Sequence, residues 1–264
     1  MSLKPEQPKY ISKKPDQYGY VEYTAEENET WKILYERQMQ AIKDRACDEF
    51  ISGVHALAMN SDGIPQIPEI NKHLKKATGW SVAAVPSLIS SERFFELLAN
   101  KQFPAATFIR TREELDYLQE PDIFHEIFGH CPLLTNKNYA DFVEAYGKLS
   151  LKVTPKEQNK LLRLFWLTIE FGLLETRDGL RIYGGGILSS YEETLYSLES
   201  GVPKRLAMNI LDALRTPYRI DIKQPIYYYI SSLDTLYDIL QTDLMSLVHE
   251  AIKLGDFEPE FTKD

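Results

Sequence analysis

The stretch from Leu161 to Leu174 is what most limits the folds open to this 264-residue chain. Thr154-Pro155-Lys156-Glu157 supplies a cap, a proline in the first turn and a glutamate at the third position, and so predicts a helix running to about Glu175. The second half of that helix is apolar almost all round, and a helix apolar on every side belongs inside a core. The rest of the chain must wrap it. Within this half stands one carboxylate, Glu170. Burying an unpaired charge is prohibitive, so Glu170 must be protonated, paired with a cation such as Arg163 or Arg110, or bound to a metal.

A second stretch makes the metal worth arguing. Pro121-Asp122-Ile123-Phe124-His125-Glu126-Ile127-Phe128-Gly129-His130-Cys131-Pro132 holds two of the five histidines, among aromatic and aliphatic residues. Pro121 is predicted to open a helix, and Gly129, backed by Pro132, to end it. Five residues on an α-helix turn through roughly 500°, or about 140° net, so His125 and His130 share no face of an ideal helix. With the helix ended at Gly129, His130 can fold back toward His125. The pattern is not the His-Glu-x-x-His of zinc proteases, whose four-residue spacing sets both rings on one face. Two core histidines joined by hydrogen bonds are the plainer alternative. With Glu170, however, the pair forms a two-histidine, one-carboxylate donor set. That set serves non-haem Fe(II) oxygenases, with coordination positions left open, and also zinc hydrolases; the donors alone do not choose between them.

Composition excludes several classes. Thirty basic against thirty-nine acidic side chains leave a net charge of −9, which argues against nucleic acid as a partner. No apolar run reaches the ~18 residues of a membrane span. Residues 1–14 are polar and are not expected to be a secretory signal. Two cysteines, Cys47 and Cys131, exclude a disulfide framework and a four-cysteine zinc site, which fits a cytoplasmic protein.

Taken in order, the chain reads as mainly α with small β content. Thr24-Ala25-Glu26-Glu27 scans as a capping box, predicting a long helix to His55. A short helix follows over 69–77, then a strand within 80–88, a helix capped by Ser90-Ser91, and a second strand over 104–110. Thr111-Arg112-Glu113-Glu114 scans as another capping box, in a segment otherwise read as a loop. A helix over 138–151 precedes the central one. Asp178-Gly179 marks a hairpin, and Ser190 caps a further helix. Two more helices are expected over 203–214 and 232–254, with a strand pair, or an extended segment broken by Pro225, over 218–229 between them. Residues 1–17 are expected to be flexible, 18–255 to form one domain, and 256–264 to be a frayed tail.

The ordered motifs Pro121 to Leu133, Phe165 to Leu173 (Phe-Trp-Leu-Thr-Ile-Glu-Phe-Gly-Leu) and Tyr183 to Ser190 (Tyr-Gly-Gly-Gly-Ile-Leu-Ser-Ser) resemble the pterin-dependent aromatic amino acid hydroxylases, in their bacterial form. The resemblance covers about residues 18 to 240. It implies a catalytic domain built as a basket of helices around one iron. It also implies conversion of L-phenylalanine to L-tyrosine with O2, a tetrahydropterin and Fe(II). His125, His130 and Glu170 would be the iron ligands. Arg110 would hold the amino acid carboxylate by two parallel hydrogen bonds, with Asp122 the carboxylate near that arginine and Trp166. Trp166 and Phe171 would stand near the substrate ring. Ser189 would help seat the substrate, with Gly186 in the same segment and Pro121 and Tyr117 lining the region. Leu88, Ile89, Ser91 and Phe94 would form the pterin site, Phe94 stacking on the ring, and Glu126 would contact the pterin.

Ser87 and Leu118 depart from the vertebrate pattern, so details of the pterin and substrate contacts are not carried over there. A regulatory segment and a long C-terminal coiled-coil helix are not expected, nor are control by a separate amino acid site and assembly through such a helix. A monomer or small homo-oligomer is expected. Three other readings remain: a tryptophan or tyrosine hydroxylase of the same family, a zinc-dependent hydrolase using Glu126 as base, and a non-catalytic relative.

Overall fold

The computed structural model describes residues 10–86, 88–116, 118 and 120–261. It is mainly helical. The helices are α1 (Ala25–Ala41), α2 (Asp48–Ala56), α3 (Ile67–Ala77), α4 (Ser91–Ala99), α5 (Lys137–Ser150), α6 (Pro155–Phe165), α7 (Gly185–Leu188), α8 (Tyr191–Glu199), α9 (Ile210–Arg215), α10 (Asp234–Gln241) and α11 (Leu244–Leu254). Strands β1 (Ser81–Val85) and β2 (Gln102–Ala106) pair in parallel. Strands β3 (Leu173–Thr176), β4 (Gly179–Ile182), β5 (Lys204–Ala207) and β6 (Ile226–Ile230) form a sheet in the order β4-β3-β6-β5. No helix among the described residues is long and apolar enough to cross a membrane.

Helix starts stand where the caps predict them. The Thr24 and Thr154 side chains each accept the backbone N–H three residues on, and Glu27 and Glu157 return the bond. The Ser90 and Ser190 hydroxyls cap α4 and α8. Asp178-Gly179 makes the β3–β4 hairpin. The chain does wrap the predicted centre: Leu161, Leu164, Leu167 and Ile169 are fully buried, among rings such as Phe142 and Tyr146.

Several expected elements are divided instead. The helix expected over 25–55 breaks at Asp44, whose φ is +59°. The chain there leaves the helix to join the sheet edge: Ile182 N–H donates to the Arg45 carbonyl at 2.7 Å and Cys47 N–H to the Ile182 carbonyl at 2.9 Å. The central helix stops at Glu170 rather than Glu175, because the Gly172 carbonyl accepts N–H groups from Tyr183 and Gly184 and feeds the chain into β3. The second strand is β2 at 102–106, not 104–110. The segment 203–214 is β5 followed by α9, separated by Asn209 as a helix cap. The segment 232–254 is two helices, because the Asp243 carboxylate caps a new start at Leu244. Of the two readings of 218–229, the segment broken by Pro225 holds: residues 216–225 form neither helix nor strand, and the single strand β6 starts at Ile226. Thr111 makes no capping bond to backbone, and 112–114 is a single 3-10 turn.

The described residues near both ends are also held. The Tyr10 ring stacks on Phe108 at 4.7 Å, and Thr107 bonds Ser12 and Lys13. Toward the other end, Asp256 accepts hydrogen bonds from Lys160 and Arg163, and Arg215 lies over the Phe257 ring. The described parts of both expected loose ends are thus tied to the domain.

Candidate metal centre and substrate cavity

The two histidines are brought together by a helix of unexpected pitch. Residues Phe124–His130 form a π-helix, which passes through Gly129 without stopping and reaches His130. In such a turn the backbone bonds to the fifth residue along, so positions five apart stack one turn above the other. The spacing that scatters the imidazoles on an α-helix aligns them here. The expectation of a stop at Gly129 is therefore wrong, although the folding of His130 toward His125 holds. Their Nε2 atoms lie 3.2 Å apart.

The same device serves Glu170. Residues Trp166–Glu170 continue α6 as a second π segment, closed by Phe171 N–H donating to the Trp166 carbonyl at 3.0 Å. Glu170 Oε2 lies 3.2 Å from His130 Nε2 and 3.8 Å from His125 Nε2. The alternative cations are occupied elsewhere: Arg163 on Asp256 and Arg110 on Asp122. Donor atoms of His125, His130 and Glu170 all lie within 4.8 Å of one another.

Hydrogen bonding decides what these rings offer. The Ser189 hydroxyl donates to the Gly185 carbonyl at 2.9 Å, so at 2.9 Å it accepts from His125 Nδ1. That fixes the hydrogen on Nδ1 and leaves the Nε2 lone pair aimed at Glu170 and His130. Burial pushes the His125 pKa down to about 4 against the pull of Glu170, so the ring is neutral. Burial works to raise Glu170, but the two imidazoles outweigh it and hold the carboxyl below its usual range. His130 is 1% exposed and its ring stacks on Phe103 at 4.8 Å. Its other face meets Gly185, where an added Cβ would fall 2.5 Å from the ring. Only a residue without a side chain lets α7 approach this closely. Three donors 3.2 to 3.8 Å apart, with the His125 Nε2 lone pair among them, fit one metal ion of ordinary bond length near 2.1 Å.

Behind the centre lies a buried ion pair. Arg110 Nε and Nη2 donate to the two Asp122 oxygens at 2.8 and 2.9 Å. Asp122 is fully buried and also accepts the His125 backbone N–H at 3.0 Å. Burial alone would raise the Asp122 pKa, but Arg110 and these N–H groups lower it. One carboxylate thus anchors both the guanidinium and the start of the ligand-bearing turn. The remaining edge of the guanidinium, Nη1 with Nη2, can present two parallel N–H groups to a carboxylate.

A cavity of about 820 Å³ opens over these groups. It is lined by His125, Glu170 and Arg110, by Trp166, Phe171 and Gly186, and on another side by Leu88, Ile89, Ser91 and Phe94. Pro121, Glu126 and Ser189 reach it as well. Burial, followed by the charges of Glu170 and Asp122, pushes the Glu126 carboxyl well above its usual range. Asp122 and His130 stand behind the wall rather than in it. Tyr117 and Ser87 lie outside the described residues; Leu118 lines the cavity. Ser189 lines the cavity while its hydroxyl bonds His125 and Gly185.

Sequence reasoning missed Tyr218, which stacks on Trp166 at 4.9 Å, and Glu193, buried at the cavity edge. Tyr218 carries no local signal, since its partner is far along the chain. Glu193 reads as one end of a capping box, yet its carboxylate turns to Gln224 and Tyr227.

Comparison with known proteins supplies the rest. Residues 7–252 match the family described as biopterin-dependent aromatic amino acid hydroxylase. The chain is 56% identical over 252 residues to phenylalanine-4-hydroxylase of Pseudomonas aeruginosa, covering 96% of each. A solved apo structure of the cold-active phenylalanine hydroxylase of Colwellia psychrerythraea 34H superposes with a TM-score of 0.93 at 54% identity, over 96% of this chain and 98% of that one. That of Chromobacterium violaceum phenylalanine hydroxylase with bound oxidised Fe(III) gives 0.88 at 40% identity, over 95% and 94%.

Proposed function

We propose that this chain, which belongs to the biopterin-dependent aromatic amino acid hydroxylases, hydroxylates L-phenylalanine to L-tyrosine using O2 and a tetrahydropterin at a non-haem Fe(II). Relatives 56% and 50% identical over 96% of the chain are named phenylalanine-4-hydroxylase. The zinc hydrolase reading is set aside with the family. The observation that carries the site is the convergence of His125, His130 and Glu170 donor atoms beneath an open cavity.

In this reading His125, His130 and Glu170 hold the iron on one face. When bound, iron and the tetrahydropterin together supply the two-electron activation of O2 from which one atom reaches the substrate ring. The protein positions the reactants and excludes water. Arg110 takes the amino acid carboxylate on its open edge, and Asp122 keeps that edge fixed. Trp166, Phe171 and Tyr218 form an aromatic wall against which the substrate ring rests. Leu88, Ile89, Ser91 and Phe94 receive the pterin, with Phe94 presenting a ring face to it and Glu126 reaching it from the floor. Ser189 holds His125 in the tautomer that binds metal. The enzyme works in the cytoplasm, a reading supported by two cysteines that are both unpaired and buried.

The test is direct. Protein loaded anaerobically with Fe(II) is given O2, tetrahydropterin and, in separate reactions, phenylalanine, tryptophan or tyrosine. Tyrosine formed from phenylalanine in proportion to pterin consumed is expected. Preferential hydroxylation of tryptophan or tyrosine, or turnover that ignores pterin, would overturn the assignment.

A further inference from the structure

Residues 216–225 cross the cavity edge without forming helix or strand, yet they carry Tyr218 and Ile222 into its wall. Such a segment needs side-chain bonds to hold a shape. Thr216 bonds Tyr228 at its start and Lys223 pairs with Glu192 near its end, but the buried bonds that close its middle come from one glutamine. Gln224, 1% exposed, donates through Nε2 to the Arg219 carbonyl at 2.7 Å and the Ile222 carbonyl at 3.1 Å, closing the segment on itself. Its backbone N–H donates to Glu193 Oε1 at 3.0 Å. The Tyr227 hydroxyl donates to the same oxygen. Glu193 belongs to α8, whose cap residue Ser190 directly follows Ser189, the partner of His125.

At the other end of the segment Tyr218 stacks on Trp166 at 4.9 Å and 26°. Trp166 lies against Phe171 at 4.7 Å and begins the π segment that ends in Glu170. One continuous line of contacts thus runs from Glu193 through Gln224 to the aromatic wall. The two bonds that Gln224 makes to carbonyls are the closure of that line.

We infer that Glu193 and Gln224 form a latch whose task is to set Tyr218 against Trp166, and through them the position of the substrate ring. They are positioning residues, since neither is argued to touch the reacting atoms. This rests on the proposed hydroxylation for its kinetic consequences, but not for its structural one. Loosening the latch leaves the carboxylate clamp at Arg110 intact and frees the ring end of the substrate. A ring held loosely lets the pterin's two electrons and two protons pass to O2 as H2O2, so that pterin is oxidised without a matching product.

The experiment compares Gln224→Ala, Glu193→Ala, Glu193→Gln and Tyr227→Phe with the parent protein. Trp31 and Trp80 are fully buried and Trp166 only partly, so acrylamide quenching of tryptophan emission reports on the Trp166–Tyr218 stack whether or not the protein turns over. Gln224→Ala and Glu193→Ala are expected to raise that quenching at least twofold. In the iron-loaded enzyme they are expected to raise the KM for phenylalanine about five- to tenfold and to lower tyrosine formed per pterin oxidised, with the pterin KM unchanged. Glu193→Gln keeps an accepting oxygen and should restore parental values; Tyr227→Phe, which spares the backbone bond, should fall between. Parental quenching, KM and coupling in both alanine variants would sink the latch. So would a uniform loss of kcat and melting temperature that Glu193→Gln shares. Should an alanine variant fail to fold, Glu193→Gln against Tyr227→Phe decides by the same readouts. A parent protein that makes no tyrosine defeats the proposed function instead, and the quenching comparison still judges the latch.

Discussion

Ser189 Oγ sits 2.9 Å from His125 Nδ1 while donating its own hydrogen to the Gly185 carbonyl. The hydroxyl has one hydrogen to give, so the ring must give the other. Ser189→Ala removes that constraint and lets the Nδ1 and Nε2 tautomers compete. Orienting partners of ligating imidazoles are worth about 10- to 100-fold in metal affinity. The expected outcome is Fe(II) or Co(II) binding weakened by about 10-fold in titration, with the melting temperature of the metal-free protein shifted little.

Removing a ligand should abolish the response to metal altogether. A site with Fe(II) at about 100 times its dissociation constant stabilises the native state by about 2.7 kcal/mol. For a chain of this length that is about 5–10 °C in melting temperature. Thermal scans with and without Fe(II) should show this rise in the parent protein and lose it in Glu170→Gln. A variant that still rises by the same amount would place the ion elsewhere.

Asp122 is fully buried and Arg110 is 7% exposed, so their pair cannot be broken cheaply. Asp122→Asn leaves a guanidinium buried without its counter-charge, and losing one partner of such a pair costs about 3–5 kcal/mol. Denaturant midpoints should register that loss. Arg110→Lys is expected to fold, because an ammonium still meets Asp122, yet to raise the KM for phenylalanine well above tenfold, since a lysine cannot offer two parallel N–H groups.

The Asp256 carboxyl is held below its usual range, first by hydrogen bonds from Arg163 against the opposing effect of burial, then by Lys160. A depressed folded-state value means that the contribution is complete above the unfolded value of about 3.9 and is lost as pH falls through the folded one. Asp256 is 45% exposed on its side chain, so after solvent screening the gain is about 1 kcal/mol. The melting temperature of Asp256→Asn should therefore lie below that of the parent at pH 7, and the gap should narrow steadily below about pH 4. A gap that widens in acid would contradict the assignment.

Much of the helical frame is legible in the chain because caps are local. Thr24, Ser90, Thr154 and Ser190 each act on a backbone N–H three residues away, and Asp178-Gly179 turns on itself. What is not legible depends on distant partners. Arg45 and Cys47 leave their helix because Ile182, far along the chain, offers a strand edge. Pro203 to Leu214 has helical composition but gives up Lys204–Ala207 to pair with β6. The metal donors were found as residue types, Glu170 by its apolar surroundings and the histidines by their number. Their convergence depends on a π turn, which the spacing of seven residues does not distinguish from an α turn ending at Gly129. Tyr218 and Glu193 escaped for the same reason as Ile182: each is meaningful only beside a neighbour brought by the fold.

The π segments at Phe124–His130 and Trp166–Glu170 make register, as much as residue type, the currency of this centre. Each behaves as a helix holding one residue more than its turns require. Deleting a single residue from either would restore ordinary pitch and swing everything beyond it through about 100° around the axis. His130 or Glu170 would survive in the amino-acid sequence and yet face away from its companions. Chains that keep all three donors but differ by one position in either segment should therefore be judged by their spacing before they are counted as carrying an intact iron pocket.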